Sequence, residues 1–230
     1  MKKKVITIFI LIFFFGIHNV NALEITEKGI EAYLRMEFNR SFNYYGDISA
    51  IGFIELNNRY TFRGGFSLGK AADITDFNTF ISARYSPFRN LPLHFSVSYI
   101  YNNLPEYGVH TSTIVPVISF NASRAGISIG SNFRFTSFFK ESAQFESILS
   151  FYGYFNIIND DILKIGTGLG NFSDFHAENL GAFSLFIYST IQMNSRWVIV
   201  NEFEILQSGI DGFTTAFYGF AWRGGVKFTW

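Results

Sequence analysis

The chain has no cysteine. That excludes a disulfide framework, a thiolate metal site and a thiol nucleophile. It also lacks an excess of either charge, since 18 basic residues balance 18 acidic ones. A nucleic-acid binder needs a basic stripe, and none is present, so nucleic acid is not an expected partner. Charge is scarce altogether, at 16 % of residues against the roughly 25 % of an average soluble domain. Beyond the N-terminal segment there is no unbroken apolar run of roughly 18 residues, the length that marks a membrane-crossing helix. What the chain does have is aromatic side chains: 20 % of its residues, with 30 Phe. Apolar content at that level excludes disorder.

The N-terminus reads as an export signal. Lys2, Lys3 and Lys4 form a positive n-region, and Val5 to Ile17 is almost purely apolar. Val20-Asn21-Ala22 then places small or tolerated residues before a cleavage point ahead of Leu23. Residues 1–22 are expected to be removed, and 23–230 to form a single domain. With no cysteine at the cleavage point, lipid attachment there is excluded. Without the three lysines, 15 basic residues face 18 acidic ones, a net charge of −3.

The mature chain alternates with period two, the period of a β-strand. Ile30, Ala32, Leu34, Met36 and Phe38 share one face; Glu31, Tyr33, Arg35, Glu37 and Asn39 share the other. Residues 93–102, 125–136 and 218–230 repeat the pattern. Turn signals divide the chain into strands at roughly 30–40, 47–56, 59–69, 77–86, 93–102, 110–121, 125–138, 145–157, 162–171, 180–192, 197–206 and 215–230. Tight turns alternate with longer loops, none above about eight residues by these boundaries. Strands of about 9–11 residues suit a tilted crossing of a bilayer. The expected fold is all-β: a transmembrane, antiparallel, up-and-down β-barrel of 12 strands, with ten or eight as alternatives. Pro116 is expected to mark a bulge in strand six. Strand ten is apolar on both faces, so inward and outward stay open in strands six and ten.

One face of nearly every strand is aliphatic or aromatic, while the other is small, polar and sparsely charged. A soluble sandwich turns its polar face to water. The arrangement here, apolar outside and polar within, suits a barrel in lipid. Tyr44, Tyr45, Tyr85, Phe88, Phe138, Phe139, Trp197 and Trp222 are expected to form aromatic girdles at the interfaces. The chain ends Gly225-Val226-Lys227-Phe228-Thr229-Trp230. This resembles the signal read by the outer-membrane barrel-assembly machinery, with Trp in place of the commoner Phe. Gly225, Val226, Phe228 and Trp230 carry that resemblance, which implies the assembly machinery as a partner and the Gram-negative outer membrane as the destination. Over the whole mature chain the pattern resembles the small bacterial outer-membrane barrels, and in length and strand count the porins of about twelve strands.

Parity assigns the inward charges. The acids are Glu31, Glu37, Glu55, Glu146, Glu202 and Glu204. The bases are Arg35, Arg63, Arg84, Arg134, Lys164, Arg223 and Lys227. Either they order water across a narrow pore, or they pair to satisfy a filled interior. Gly126, Ser128, Gly130, Gly166 and Gly168 are expected to keep the wall thin, and Phe53, Phe80, Tyr152, Tyr154 and Phe217 to narrow the bore. The longer loops carry Asp47, Asp73, Asp76, Glu106, Glu141, Asp174, Glu178 and Asp211 against Arg40, Lys70 and Lys140, an acidic outer rim.

Catalytic strings are present without their contexts. Gly126-Ile-Ser-Ile-Gly130 matches a nucleophile elbow but lies inside an alternating strand, where no strand-to-helix turn exists. His94-Phe95-Ser96 is similar to the His-x-Ser of outer-membrane phospholipases. In that family the pair faces lipid, whereas parity here turns both residues inward. His110 and His176 have no partners at ligand spacing, so no metal or cofactor is expected. The expected function is non-enzymatic, a porin-like passive channel for small polar solutes or ions. A closed structural barrel is the alternative, and a lipid-modifying enzyme is a more remote one. The passenger-translocator role is disfavoured because so little precedes strand one.

Overall fold

A computed structural model describes residues 24–39, 44–71, 74–88, 90–138, 144–172, 182–208 and 216–230. The expected signal segment therefore lies outside the described residues, as do Arg40, Asp73, Phe139, Lys140, Glu141, Asp174, His176, Glu178 and Asp211.

Twelve strands follow in chain order: β1 (Ile25–Asn39), β2 (Tyr44–Leu56), β3 (Tyr60–Ala71), β4 (Ile74–Tyr85), β5 (Leu93–Leu104), β6 (Val109–Asn121), β7 (Ala125–Phe138), β8 (Gln144–Asn159), β9 (Leu163–Gly170), β10 (Ala182–Gln192), β11 (Trp197–Ser208) and β12 (Ala216–Thr229). Each pairs antiparallel with its neighbours, and β1 pairs with β12 from Gly29↔Thr229 to Asn39↔Gly219. The sheet is thus a closed barrel with no free edge, the condition for backbone groups to be satisfied in lipid. Twelve strands at about 4.8 Å spacing and a tilt near 40° give a backbone radius of roughly 12 Å.

Turn chemistry fixes the short-turn end. Asn57 and Asn58 both have positive φ, 55° and 54°, and Arg59 N–H donates to the Leu56 carbonyl at 3.0 Å. This tight reversal between β2 and β3 needs residues that tolerate the left-handed region, and asparagine does. At the other end, Pro105–Tyr107 forms a single 3-10 turn closed by Gly108 at φ 59°.

The outer surface is apolar. Ile81 is 65 % exposed, Ile187 59 % and Ile127 54 %, each on the side away from the barrel axis. A surface of this kind is stable against lipid and not against water. Inward residues alternate with these on every strand.

Several expectations are corrected. Pro116 makes no bulge. Its ladder to β5 continues through Val97↔Pro116, while the ladder to β7 lapses between Ile114↔Phe133 and Val117↔Gly130 and resumes in the same register. Proline has no N–H to give, so the sheet drops a rung instead of inserting a residue. Register shifts occur instead near Ile25 and Glu27 of β1, near Asn156 and Ile158 of β8, and in β12, between Leu206↔Gly219 and Gln207↔Phe217. The β12 shift reverses the parity of Phe217, which is 48 % exposed outside the barrel rather than narrowing the bore. In strand ten, Ser184, Phe186, Tyr188 and Thr190 face in, and Leu185 and Ile187 face out. Trp222 sits mid-strand, paired with Met36 and Phe203, and so belongs to the lipid wall and not to a girdle. Trp197 and Phe88 lie at the short-turn end and are 44 % and 53 % exposed.

Candidate functional site: the lumen wall

The inward residues divide into two unlike walls. Midway along β4, β5 and β6 an apolar patch interrupts an otherwise polar inward face. Phe80, Ile100, Val115 and Val117 form one buried cluster with Ile51 of β2, and Tyr33 and Phe172 pack against it. Ile100 is 1 % exposed and Phe80 2 %. The register brings Ile51, Gly65, Phe80, Ile100 and Thr113 side by side around the wall. Gly65 carries no side chain there, so Ile51 and Phe80 meet across it.

The wall formed by β11, β12 and β1 to β3 is charged. Arg35 bridges two carboxylates, Glu37 at 2.9 Å and Glu204 at 3.5 Å. Arg63 pairs with Glu31 at 3.0 Å, and Arg223 with Glu202 at 2.9 Å. Tyr33 O–H donates to Glu31 at 3.1 Å, and the Arg223 guanidinium lies 5.2 Å over the Tyr33 ring. Their side chains keep some solvent contact, from 11 % at Glu202 and Glu31 to 29 % at Arg63 and Arg223. An isolated ion in such a place costs several kcal/mol, so the reciprocal pairing is what lets these charges stay inside.

Above the charged wall, toward the long loops, is a polar network. Tyr45 O–H donates to Asp76 at 2.9 Å, and Asn78 donates to Asp76 at 2.8 Å and to Ser67 Oγ at 3.2 Å. Asn102 donates to Asn78 at 2.7 Å. This overturns two expectations. Asp47 and Asp76 belong to the lumen wall, 6 % and 9 % exposed, and not to a solvated outer rim. Tyr45 is an inward hydrogen-bond donor and not a girdle residue, and Phe138, opposite Val109, also falls on the inward side. Both strands begin about three residues earlier than expected, which carries these aspartates into the sheet.

The glycines of β7 and β9 do not leave a thin wall. The Tyr188 ring lies across Gly166 and the Phe186 ring across Gly168, so a Cβ at either would strike a ring. Tyr154 covers Gly126 in the same way. Tyr152 and Phe186 stack at 5.2 Å and 18°. The rings fill the groove that the glycines open, an arrangement known to stabilise sheet glycines.

Asn171 is held three times by β8: its N–H donates to the Phe151 carbonyl at 3.0 Å, its side chain accepts from Phe151 N–H at 2.8 Å, and its Nδ2 donates to the Leu149 carbonyl at 2.8 Å. The next residue, Phe172, is thereby aimed inward, against Tyr152 at 6.2 Å and against the apolar cluster on β2 and β4–β6.

The remaining expected residues are spread along the axis. Arg134 and Glu146 face each other at 3.9 Å at the long-loop end, where Glu146 is 52 % exposed. Lys227 reaches Glu27 at 3.3 Å and lies 4.4 Å over the Phe53 ring. Lys164 is exposed at the short-turn rim. Glu55 and Arg84 line a cavity of about 690 Å³ at the short-turn mouth. His94 Nδ1 lies 2.7 Å from Ser86 Oγ, inside the barrel, so the His94-Phe95-Ser96 string is away from the lipid wall. No cluster of three potential metal ligands occurs among the described residues. At the seam, Trp230 N–H donates to the Lys28 carbonyl at 3.1 Å and the Lys28 ammonium sits 5.6 Å over the Trp230 ring.

The architecture has known counterparts. The NanC porin superposes with a TM-score of 0.58 at 11 % identity, covering 86 % of this chain and 98 % of that one. The KdgM porin in complex with disordered oligogalacturonate gives 0.55 at 10 % identity with the same coverage. The translocator domain of the autotransporter NalP from Neisseria meningitidis gives 0.54 at 9 % identity, over 88 % of this chain and 87 % of that one. No family model and no curated protein matches the chain. At these identities the likeness is one of fold: a closed barrel of the outer-membrane porin type. Porins and a translocator share it, so the argument for function rests on the lumen's own residues.

Proposed function

We propose that the protein is a narrow outer-membrane channel for small polar solutes or ions, reached after signal cleavage near Ala22. The observation that carries this reading is a band of paired charges that keeps solvent contact inside the barrel. Arg35, Glu37, Arg63, Glu202, Glu204 and Arg223 keep solvent contact, while the patch of Phe80, Ile100, Val115 and Val117 is dry. Water and solute pass along the paired charges, whose field across the bore favours groups that can replace hydrating water. Glu55 and Arg84 line the periplasmic mouth, because short turns face the periplasm in such barrels. Arg134 and Glu146 line the outer one. The porin folds of NanC and KdgM support the reading. The terminal Gly225, Val226, Phe228 and Trp230 are the segment proposed to engage the assembly machinery, and the apolar outer wall is proposed to contact lipid. The neighbours with porin folds also support a role in passage rather than in catalysis.

A second reading, a barrel closed to solutes, is favoured by the 1–2 % exposure of Phe80 and Ile100 with Phe172 against them. Recording from the refolded protein in a planar bilayer separates the two. Discrete openings of low conductance are expected. Silence from protein shown to be folded by heat-modifiable gel migration would establish the closed barrel.

A further inference from the structure

The charges inside the barrel do not cancel evenly along its axis. Four pairs cancel in place: Arg63 with Glu31, Arg223 with Glu202, Lys227 with Glu27 and Arg134 with Glu146. At the short-turn mouth this leaves Glu55 and Arg84, one charge of each sign. The long-loop half is different. There Arg35 bridges Glu37 and Glu204 and stands opposite Asp47 in the β1–β2 register, so one guanidinium serves three carboxylates. Asp76 adds a fourth, and Tyr45 O–H and the Asn78 amide, both neutral, donate to it. Strand direction fixes the half in which these acids lie. Glu37 comes late on β1, which runs toward the long loops, and Asp47 and Asp76 come early on β2 and β4, which run back. The connections outside the described residues carry Asp73, Glu141, Asp174, Glu178 and Asp211 against Arg40 and Lys140, an excess of the same sign.

We propose that this axial imbalance makes the channel selective for small cations and rectifying, so that cations pass more readily from the outside to the periplasm than back. Glu37, Asp47 and Asp76 are its determinants. The proposal deepens the channel reading and rests on it. A fixed negative field at one end of a narrow bore gathers cations there and excludes anions. At 0.1 M salt the screening length is about 10 Å, close to the radius of this barrel, so the field reaches across the lumen. Asp47 and Asp76 are sunk in the wall, and screening ions reach them only from the bore. A voltage positive outside drives the gathered cations into the balanced half and raises its conductance. The opposite voltage draws them back out and lowers it. The effect belongs to the field of the whole outer half and needs no ion held at a fixed point.

The test uses the full mature barrel in a planar bilayer. The chain has no cysteine, so biotin on Ser195→Cys, exposed at the β10–β11 turn, marks the short-turn end. Streptavidin that alters the current from one compartment only then gives the orientation. In a KCl gradient the reversal potential is expected to show preference for potassium over chloride. In symmetric KCl at about 0.1 M, the current should be about twofold larger with the outer side positive, and the ratio should fall toward one at about 1 M. Asp76→Asn and Glu37→Gln, each shown to be folded by heat-modifiable gel migration, should bring the ratio closer to one. Glu55→Gln should raise it, because Arg84 then leaves the inner mouth positive. Chloride preference, equal currents at both polarities in barrels of known orientation, or a lowered ratio in Glu55→Gln would overturn the proposal and leave the channel standing. Silence from folded protein would remove both.

Discussion

Two stretches of the same barrel wall, built from the same alternating strands, treat water in opposite ways. On β4 to β6 the inward Phe80, Ile100, Val115 and Val117 are 1–4 % exposed. On β11, β12 and β1 the inward side chains of Glu202, Glu204, Arg223, Arg35 and Glu37 keep between 11 % and 29 %. The dry wall behaves as the core of a soluble domain would. Its stability comes from packed area, at roughly 25 cal/mol per Å² buried. The wet wall buries charge and holds it by reciprocal pairing, which stabilises little in net terms but fails badly if one partner is lost. The bore is thus lined by an apolar patch, a band of ion pairs and a polar network, and not by one kind of surface.

The comparison can be broken most severely at Arg35. Arg35→Met strands both Glu37 and Glu204, and about 3–5 kcal/mol of stability should be lost in urea unfolding. A loss under about 1 kcal/mol would mean that the carboxylates are fully hydrated and the wet side reaches further than described. Next in size is Phe80→Ala. If the dry wall is a true core, it should cost about 3 kcal/mol in the same assay, with ion selectivity unchanged. Altered selectivity would show that water already reaches Phe80.

Phe172→Ala tests the boundary between the walls. A stability loss of about 1–2 kcal/mol and a severalfold rise in bilayer conductance are expected. Conductance no different from wild type would remove Phe172 as the constriction. The smallest effect lies outside the membrane, at Glu106. Its carboxylate is fully exposed, and its own backbone N–H and that of Thr75, 3.0 Å away, hold it below the usual carboxylate range. A carboxylate lowered in the folded state contributes stability above its unfolded pKa and loses it as pH falls through the lowered value. The Thr75 amide signal should therefore move on acidification below pH ~4, and stay still in Glu106→Gln. A Thr75 signal that ignores acidification in the wild type would refute the contact.

Much of this was legible in the residues. Alternation placed all twelve strands within about three residues except at the start of β1, because lipid demands an apolar outer face on every strand. The same parity turned Arg35, Glu37, Arg63, Glu202, Glu204 and Arg223 inward. It failed where geometry broke the count. The bulge after Leu206 reversed Phe217, and nothing in 216–219 announces that shift. It also failed where a polar residue near a strand end was read as a loop, as with Asp47 and Asp76. Pro116 misled in the other direction, since a sheet can omit one rung more cheaply than it can add a residue.

By itself, then, the sequence determined the closed barrel, its apolar outer and polar inner faces, and the inward charges within the strands it bounded correctly. These follow from local period and from the solvent on each side. The tertiary structure decided which charges found partners, which glycines were covered by rings, and that Asn171 would aim Phe172 across the bore. Those outcomes depend on register and on contacts between strands far apart in the chain. Arg35 meets Glu204 because β1 closes on β12, which no window of local sequence contains.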